Sequence, residues 1–221
     1  MTELLVARAR KVVAIEIDRA LAQKLQEKSG ANPRIEIIQG DILSTDLDAL
    51  CRRHNAARCF VFGNIPYYIT SPIIHHLFSF APLIRGMALL VQREVADRLT
   101  TAPGSRDYGY LSVFTQIHSQ PRIALSVPPG AFSPPPRVHS ALVVFQMHSG
   151  FAKWDPDERK KFLDFVKCCF ARKRKSLLNN LAAVYSRERV ERDLATLNLL
   201  STVRAEQLAL GQFTTLYHRL R

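Results

Sequence analysis

Three places in this 221-residue chain put a polar side chain directly after a short apolar run. Glu16 closes Val12-Val13-Ala14-Ile15. Asp41 follows Ile35-Glu36-Ile37-Ile38-Gln39-Gly40, and Asn64 follows Cys59-Phe60-Val61-Phe62-Gly63 to open Asn64-Ile65-Pro66-Tyr67. In an open α/β sheet, ligands bind beyond the carboxyl ends of the strands. A carboxylate at Glu16 can accept hydrogen bonds from both ribose hydroxyls of a nucleoside cofactor, and Asp41 can accept from an adenine amine. Singly, each is also the kind of residue that caps a turn. As a series on successive strand ends they suit a nucleoside ligand.

Such residues need a sheet to hold them, and the chain supplies the pattern. The apolar runs at 12–17, 35–38, 59–62 and 87–91 read as strands, with a helical segment at Leu21–Glu27 that carries Leu21 and Leu25 on one face. Strands alternating with helices indicate βαβ units and a mostly parallel, doubly wound sheet. Leu111–Ile117 and Ser140–Met147 read as further strands. Between them lies "VPPGAFSPPPRVHS", whose five prolines exclude helix and central strand and leave a stiff loop. The composition changes near Ser149-Gly150. Asp155, Pro156 and Glu158 form a helix start with a capping box, and Phe162, Phe165, Val166, Cys169 and Phe170 follow at helical spacing. The expected division is a Rossmann-like domain over 1–149 and a small all-helical domain over 150–221.

Composition narrows the partner. Thirty-one Lys and Arg against nineteen Asp and Glu give a net charge of +12, which favours a polyanion such as RNA or DNA. No apolar run reaches the roughly 18–20 residues that span a bilayer, and no secretory leader pattern opens the chain, so a cytoplasmic protein without membrane attachment is expected. Among the four cysteines, Cys51 and Cys59 with His54 lack the paired spacing of a structural zinc site, and no metal is expected.

Five blocks in order, "VFGNIPYYITSPIIHHLF", "LLVQREVADRL", "PGSRDYGYLSVFTQ", "VPPGAFSPPPRVHSALV" and "CCFARKRKSLLNNL", resemble the ribosomal RNA adenine dimethyltransferases that modify small-subunit rRNA. That resemblance runs through nearly the whole chain. It implies an S-adenosylmethionine-dependent methyltransferase acting on small-subunit rRNA in a pre-30S particle. It assigns Glu16 to the cofactor ribose, Asp41 and Ile42 to its adenine, and Asn64 to both cofactor and catalysis. An adenine amine is a poor nucleophile because its lone pair is delocalised. If the Asn64 side-chain oxygen and the Ile65 carbonyl accept its two protons, the nitrogen can move toward a tetrahedral geometry and attack. Pro66 stiffens the segment, and Tyr67 stacks on the flipped-out base. The resemblance places Phe132 on the other face of that base. It makes Arg172, Lys173, Arg174 and Lys175 a phosphate-binding patch, to which Arg93, Arg98 and Arg106 add.

The same resemblance places a strand and a glycine-rich loop ahead of a helix that opens Leu-Thr-Glu. Here the sequence starts Met1-Thr2-Glu3-Leu4-Leu5, with no G-x-G before it. The sheet is therefore expected to be truncated at its N-terminal side, with two exposed edges. On that expectation the chain alone binds S-adenosylmethionine poorly and has little activity. Two alternatives stay open: a non-catalytic RNA-binding or ribosome-assembly factor, and a methyltransferase of large-subunit rRNA.

Overall fold

The computed structural model describes residues 2–221, so Met1 of the opening segment lies outside the described residues. The chain divides into two compact units, 1–59 with 68–83, and 60–67 with 84–221.

In the first unit, helix α1 (Thr2–Val6) precedes strand β1 (Val12–Glu16), helix α2 (Arg19–Ser29) and strand β2 (Ile35–Gln39). The two strands pair in parallel, from Val12 opposite Ile35 to Glu16 opposite Gln39. This is the βαβ unit read from the sequence, and its ends are set by side chains. Asp18 accepts from the Leu21 N–H at 2.9 Å and starts α2, and Gly30 ends it in a positive-φ conformation (φ 55°) that costs glycine little. Asp46 in turn caps helix α3 (Leu47–Arg53), and helix α4 (Thr70–Ser79) follows later in the chain.

The second unit carries a four-stranded sheet in the order β3-β4-β6-β5. Its strands are β3 (Cys59–Asn64, whose first residue belongs to the other unit), β4 (Ile84–Gln92), β5 (Ser119–Val127) and β6 (Ser140–Met147). β4 and β6 form the buried middle and read as apolar runs: Ile84, Val91, Ala141 and Val143 are wholly buried. The sheet is mixed: β6 runs antiparallel to both β4 and β5, which therefore point the same way. The strands thus lie in two sheets, and among the described residues β1 and β3 each have a bonded neighbour on one side only. Phe60 and Phe62 on β3 are 57% and 47% exposed.

Two local readings are also corrected. Leu111–Ile117 is not a strand but part of helix α6 (Tyr110–His118), which follows α5 (Arg93–Thr100). Ser112, Val113, Phe114, Thr115, Ile117 and His118 are all buried, and a helix covered on every side loses the amphipathic period that would reveal it. The unforeseen strand is β5, an edge strand that accommodates Pro121 and a register shift between Ile123 and Leu125.

Beyond β6 come helices α7 (Pro156–Cys169), α8 (Leu177–Leu181), α9 (Arg187–Thr196) and α10 (Leu210–Leu220). Asp155 caps α7 as expected, accepting from Asp157 and Glu158 N–H groups at 2.9 and 3.3 Å. The Glu158 carboxylate, however, pairs with Arg221, the residue just after α10. These helices share one core around Phe162, Val166, Leu177, Val190, Phe213 and Leu216, which α6 joins through Val113 and Ile117.

Candidate active site

In the first unit, the parallel register brings Glu16 and Gln39 side by side, so both strands release the chain at one end. The Gly40 N–H donates to the Glu16 carbonyl at 2.9 Å and ties those exits together. Glu16 Oε1 accepts from the Asp18 N–H at 3.0 Å. Asp41 Oδ1 accepts from the Leu43 N–H at 2.9 Å and so caps a short 3-10 turn, Ile42–Ser44. Both carboxylates therefore do the local work of turn residues. Each such bond takes one lone pair, and an ionised carboxylate has about four acceptor positions, so holding the turn and holding a ligand are compatible. Ile42 is half-buried beside Asp41.

In the second unit, Asn64 ends β3 with its residue exposed, while Ile65 is 5% exposed and its N–H donates to the Leu90 carbonyl at 3.1 Å. That bond fixes the backbone of the segment against β4. Pro66 is exposed, and Tyr67 starts a 3-10 turn. The Tyr67 hydroxyl lies 2.6 Å from Ser140 Oγ, at the first residue of β6. Ser140 is wholly buried and pairs with Gln92 on one side and Val127 on the other. The proline-rich loop therefore leaves β5 and enters β6 at the end of the sheet where Tyr67 is tethered. Phe132 sits half-buried in this loop just after a 3-10 turn, Pro129–Ala131, with the next peptide, Ser133-Pro134, in the cis form.

The basic residues separate by role. Arg93 Nε pairs with Asp97 at 2.8 Å, and Arg98 with Glu94 at 2.7 Å, both as exposed one-turn pairs on α5. Such pairs contribute little and leave the charges at the surface. Arg172–Lys175 form the turn between α7 and α8. Arg172 Nη2 donates to the Asn179 carbonyl at 2.7 Å, so this arginine also serves the fold. Lys173 Nζ donates to the Arg106 carbonyl at 2.6 Å and brings two basic segments 67 residues apart together. Arg174 and Lys175 are exposed. Among the described residues no group of three or more His, Cys, Asp or Glu is placed to hold a metal ion. No helix there is long and apolar enough to cross a membrane.

A family profile described as "Ribosomal RNA adenine dimethylase" matches residues 1–221. The chain belongs to that family. It is 42% identical over 221 residues to the ribosomal RNA small subunit methyltransferase A of Acidobacterium capsulatum, covering 100% of this chain and 77% of the relative. The protein of that name from Koribacter versatilis is 37% identical over 231 residues, covering 100% of this chain and 81% of the relative. The crystal structure of the 23S rRNA methyltransferase ErmE superimposes with a TM-score of 0.72 at 28% identity, over 99% of this chain and 85% of that one. A dimethyladenosine transferase from Plasmodium falciparum matches in fold with a TM-score of 0.79 at 24% identity, over 96% of this chain and 82% of that one. The α/β methyltransferase architecture read from the sequence is that of the adenine dimethylases.

Within this adenine dimethylase, Glu16, Asp41 and Ile42 fall in the first unit, and Asn64–Tyr67 and Phe132 in the second. Two supporting residues escape sequence reading. Ser140 is one, since only the folded sheet brings it to Tyr67. The other is Asn180, 3% exposed, whose Nδ2 donates to the Cys169 carbonyl at 2.7 Å and the Arg172 carbonyl at 3.3 Å. Asn180 thereby holds the entry to the basic turn. The pair Asn179-Asn180 beside a basic run is a sequence signal that such a turn needs anchoring.

Proposed function

We propose that this adenine dimethylase transfers methyl groups to the exocyclic amine of adenines in small-subunit rRNA, with S-adenosylmethionine as donor. The observation that carries the reading is the Asn64–Tyr67 segment, exposed at Asn64, pinned at Ile65 and tethered at Tyr67. The Asn64 side-chain oxygen and the Ile65 carbonyl accept hydrogen bonds from the two amine N–H groups, which draws the lone pair out of conjugation. Tyr67 and Phe132 sandwich the flipped base, and stacking supplies about 1–3 kcal/mol per base. Positioning and polarisation carry the rate enhancement, so a strong general base is not needed.

The donor set in the first unit suits the cofactor: two acceptor side chains lie at adjacent ends of parallel strands, which is where hydroxyl and amine donors of a nucleoside are received. Glu16 would hold the ribose hydroxyls, Asp41 the adenine amine, and Ile42 would line the adenine pocket. When bound, S-adenosylmethionine supplies an electrophilic methyl group. Arg93, Arg98, Arg106 and Arg172–Lys175 bind rRNA phosphates, the 150–221 segment being the RNA-binding domain. A pre-30S particle in the cytoplasm is the substrate this implies.

The test is methyl transfer to unmodified 30S particles, with the modified nucleoside identified by mass spectrometry after nuclease digestion. Asn64→Ala is expected to lower turnover by about two to three orders of magnitude, the loss typical of a polarising donor or acceptor. Wild-type turnover in that variant would overturn the reading. The 28% identity to ErmE keeps 23S rRNA as a second substrate to be tried in the same assay. Calorimetric titration with S-adenosylmethionine separates the enzyme from a non-catalytic assembly factor.

A further inference from the structure

The turn from Asp41 to Thr45 closes on its own atoms. Asp41 Oδ1 accepts from the Leu43 N–H at 2.9 Å. The Asp41 carbonyl accepts from the Ser44 and Thr45 hydroxyls at 3.0 and 2.9 Å, and the Ile42 carbonyl accepts from the Thr45 N–H at 3.2 Å. These bonds set the shape of the turn and leave its placement to contacts with other elements. The bond from Gly40 to the Glu16 carbonyl ties the entry to β1.

The exit is tied by a side chain distant in sequence. His76 of α4 is half-buried, and its Nε2 lies 3.0 Å from the Thr45 carbonyl oxygen, 31 residues back along the chain. A carbonyl can only accept, so Nε2 carries the proton and donates. The helix behind the imidazole is firmly seated, with Ile73, Ile74, Leu77 and Phe78 all buried. The Phe80 ring packs edge-on against the imidazole at 5.2 Å. His76 thus joins a well-anchored helix to the last residue of a polar turn, and both belong to the first unit.

A hydrogen-bond acceptor discriminates only while it stays in line, because the bond weakens steeply as its geometry opens. A site built to bond a particular donor then rejects an analogue that lacks it. We propose that His76 is a positioning residue for cofactor recognition: by donating to the Thr45 carbonyl it holds the turn where Asp41 reads the amino group of the cofactor's base. The inference rests on the assignment of Asp41 to the cofactor adenine and names the residue that sustains that selectivity. His76 acts through the turn and takes no part in methyl transfer.

The test measures, on the full chain, calorimetric dissociation constants for S-adenosylhomocysteine and for its inosine analogue, in which a carbonyl oxygen replaces the adenine amine. The wild type is expected to prefer the adenosine compound. His76→Leu removes the donor, and His76→Asn carries an amide on an arm too short to reach Thr45. Each is expected to cut the preference about two- to twelvefold, as for one hydrogen bond, by weakening the adenosine compound and sparing the inosine one. KM for S-adenosylmethionine rises by the same factor while kcat at saturation holds. His76→Gln places an amide N–H close to the position of Nε2 and is expected to restore the preference to within about twofold. Whichever of the leucine and asparagine variants folds decides the matter. Wild-type preference in it would overturn the inference, as would equal weakening of both compounds, the mark of a merely structural contact, or a glutamine variant that restores nothing. A wild type that binds neither compound, or both alike, would bring down the Asp41 assignment, and the inference with it.

Discussion

Replacing Ser140 by alanine removes one oxygen and leaves the backbone of β6 untouched. The oxygen lost is the partner of the Tyr67 hydroxyl, 2.6 Å away and wholly buried on the serine side. Without it the Tyr67 ring keeps its place in the turn but loses its hydroxyl tether to β6. A single neutral hydrogen bond contributes about 0.5–1.5 kcal/mol net. At about 1.4 kcal/mol per decade, the expected fall in kcat/KM is about 2- to 12-fold. Because Ser140 acts through Tyr67, Tyr67→Phe should show a similar loss and the double variant little more than either single one. Methyl transfer to unmodified 30S particles, with Tm followed in parallel, checks the cycle. Losses that simply add across the two variants would refute the reasoning, since they would mean that the two hydroxyls work separately. So would a fall in kcat/KM matched by a large drop in Tm.

Asp41 offers a clean separation of its two roles: Asp41→Asn keeps an acceptor for the Leu43 N–H, whereas Asp41→Ala also removes the cap. Calorimetry is expected to show weaker cofactor binding in both, and thermal melting a further loss of about 1 kcal/mol in the alanine variant only. Asn180→Ala strips partners from the Cys169 and Arg172 carbonyls and is expected to destabilise the fold by about 1–3 kcal/mol, with RNA affinity falling in the same preparation. Burial raises the Cys59 thiol from 9.0 to about 11 and the Tyr108 phenol from 10.0 to about 12. The folded state therefore holds protons that the unfolded chain releases. The resulting stability is complete below about pH 9 and is lost as pH climbs through 11 and 12. A Tm that stays level between pH 9 and 11 would contradict this.

Legibility in the sequence followed the range of the interaction concerned. β1, β2, β3 and β4 were readable because each is a short apolar run beside turn residues, and Glu16, Asp41 and Asn64 because they sit at the ends of those runs. Strand direction has no such local code, so the antiparallel entry of β6 was not visible. β5 carries Pro121 and exposes Leu125, and neither residue reads as strand outside a sheet edge. α6 misled for the opposite reason, being too thoroughly buried to show a face. Ser140 and Lys173 gain their meaning from partners 73 and 67 residues away. Tyr108 was written in a recognisable motif, but its unpaired hydroxyl exists only once the core closes around it.

On the proposed binding of rRNA phosphates by the basic turn, Asn180 has a consequence for how recognition is shared between protein and RNA. By fastening both the last carbonyl of α7 and the first carbonyl of the basic turn, it sets that loop in one shape before any RNA arrives. A pre-shaped cationic template loses little conformational entropy on association. The reshaping then falls on the nucleic acid, whose bases must unstack to meet the protein. Affinity across candidate RNAs should accordingly track how readily each one deforms at the target, with loops and helix ends bound ahead of uninterrupted duplex of the same charge.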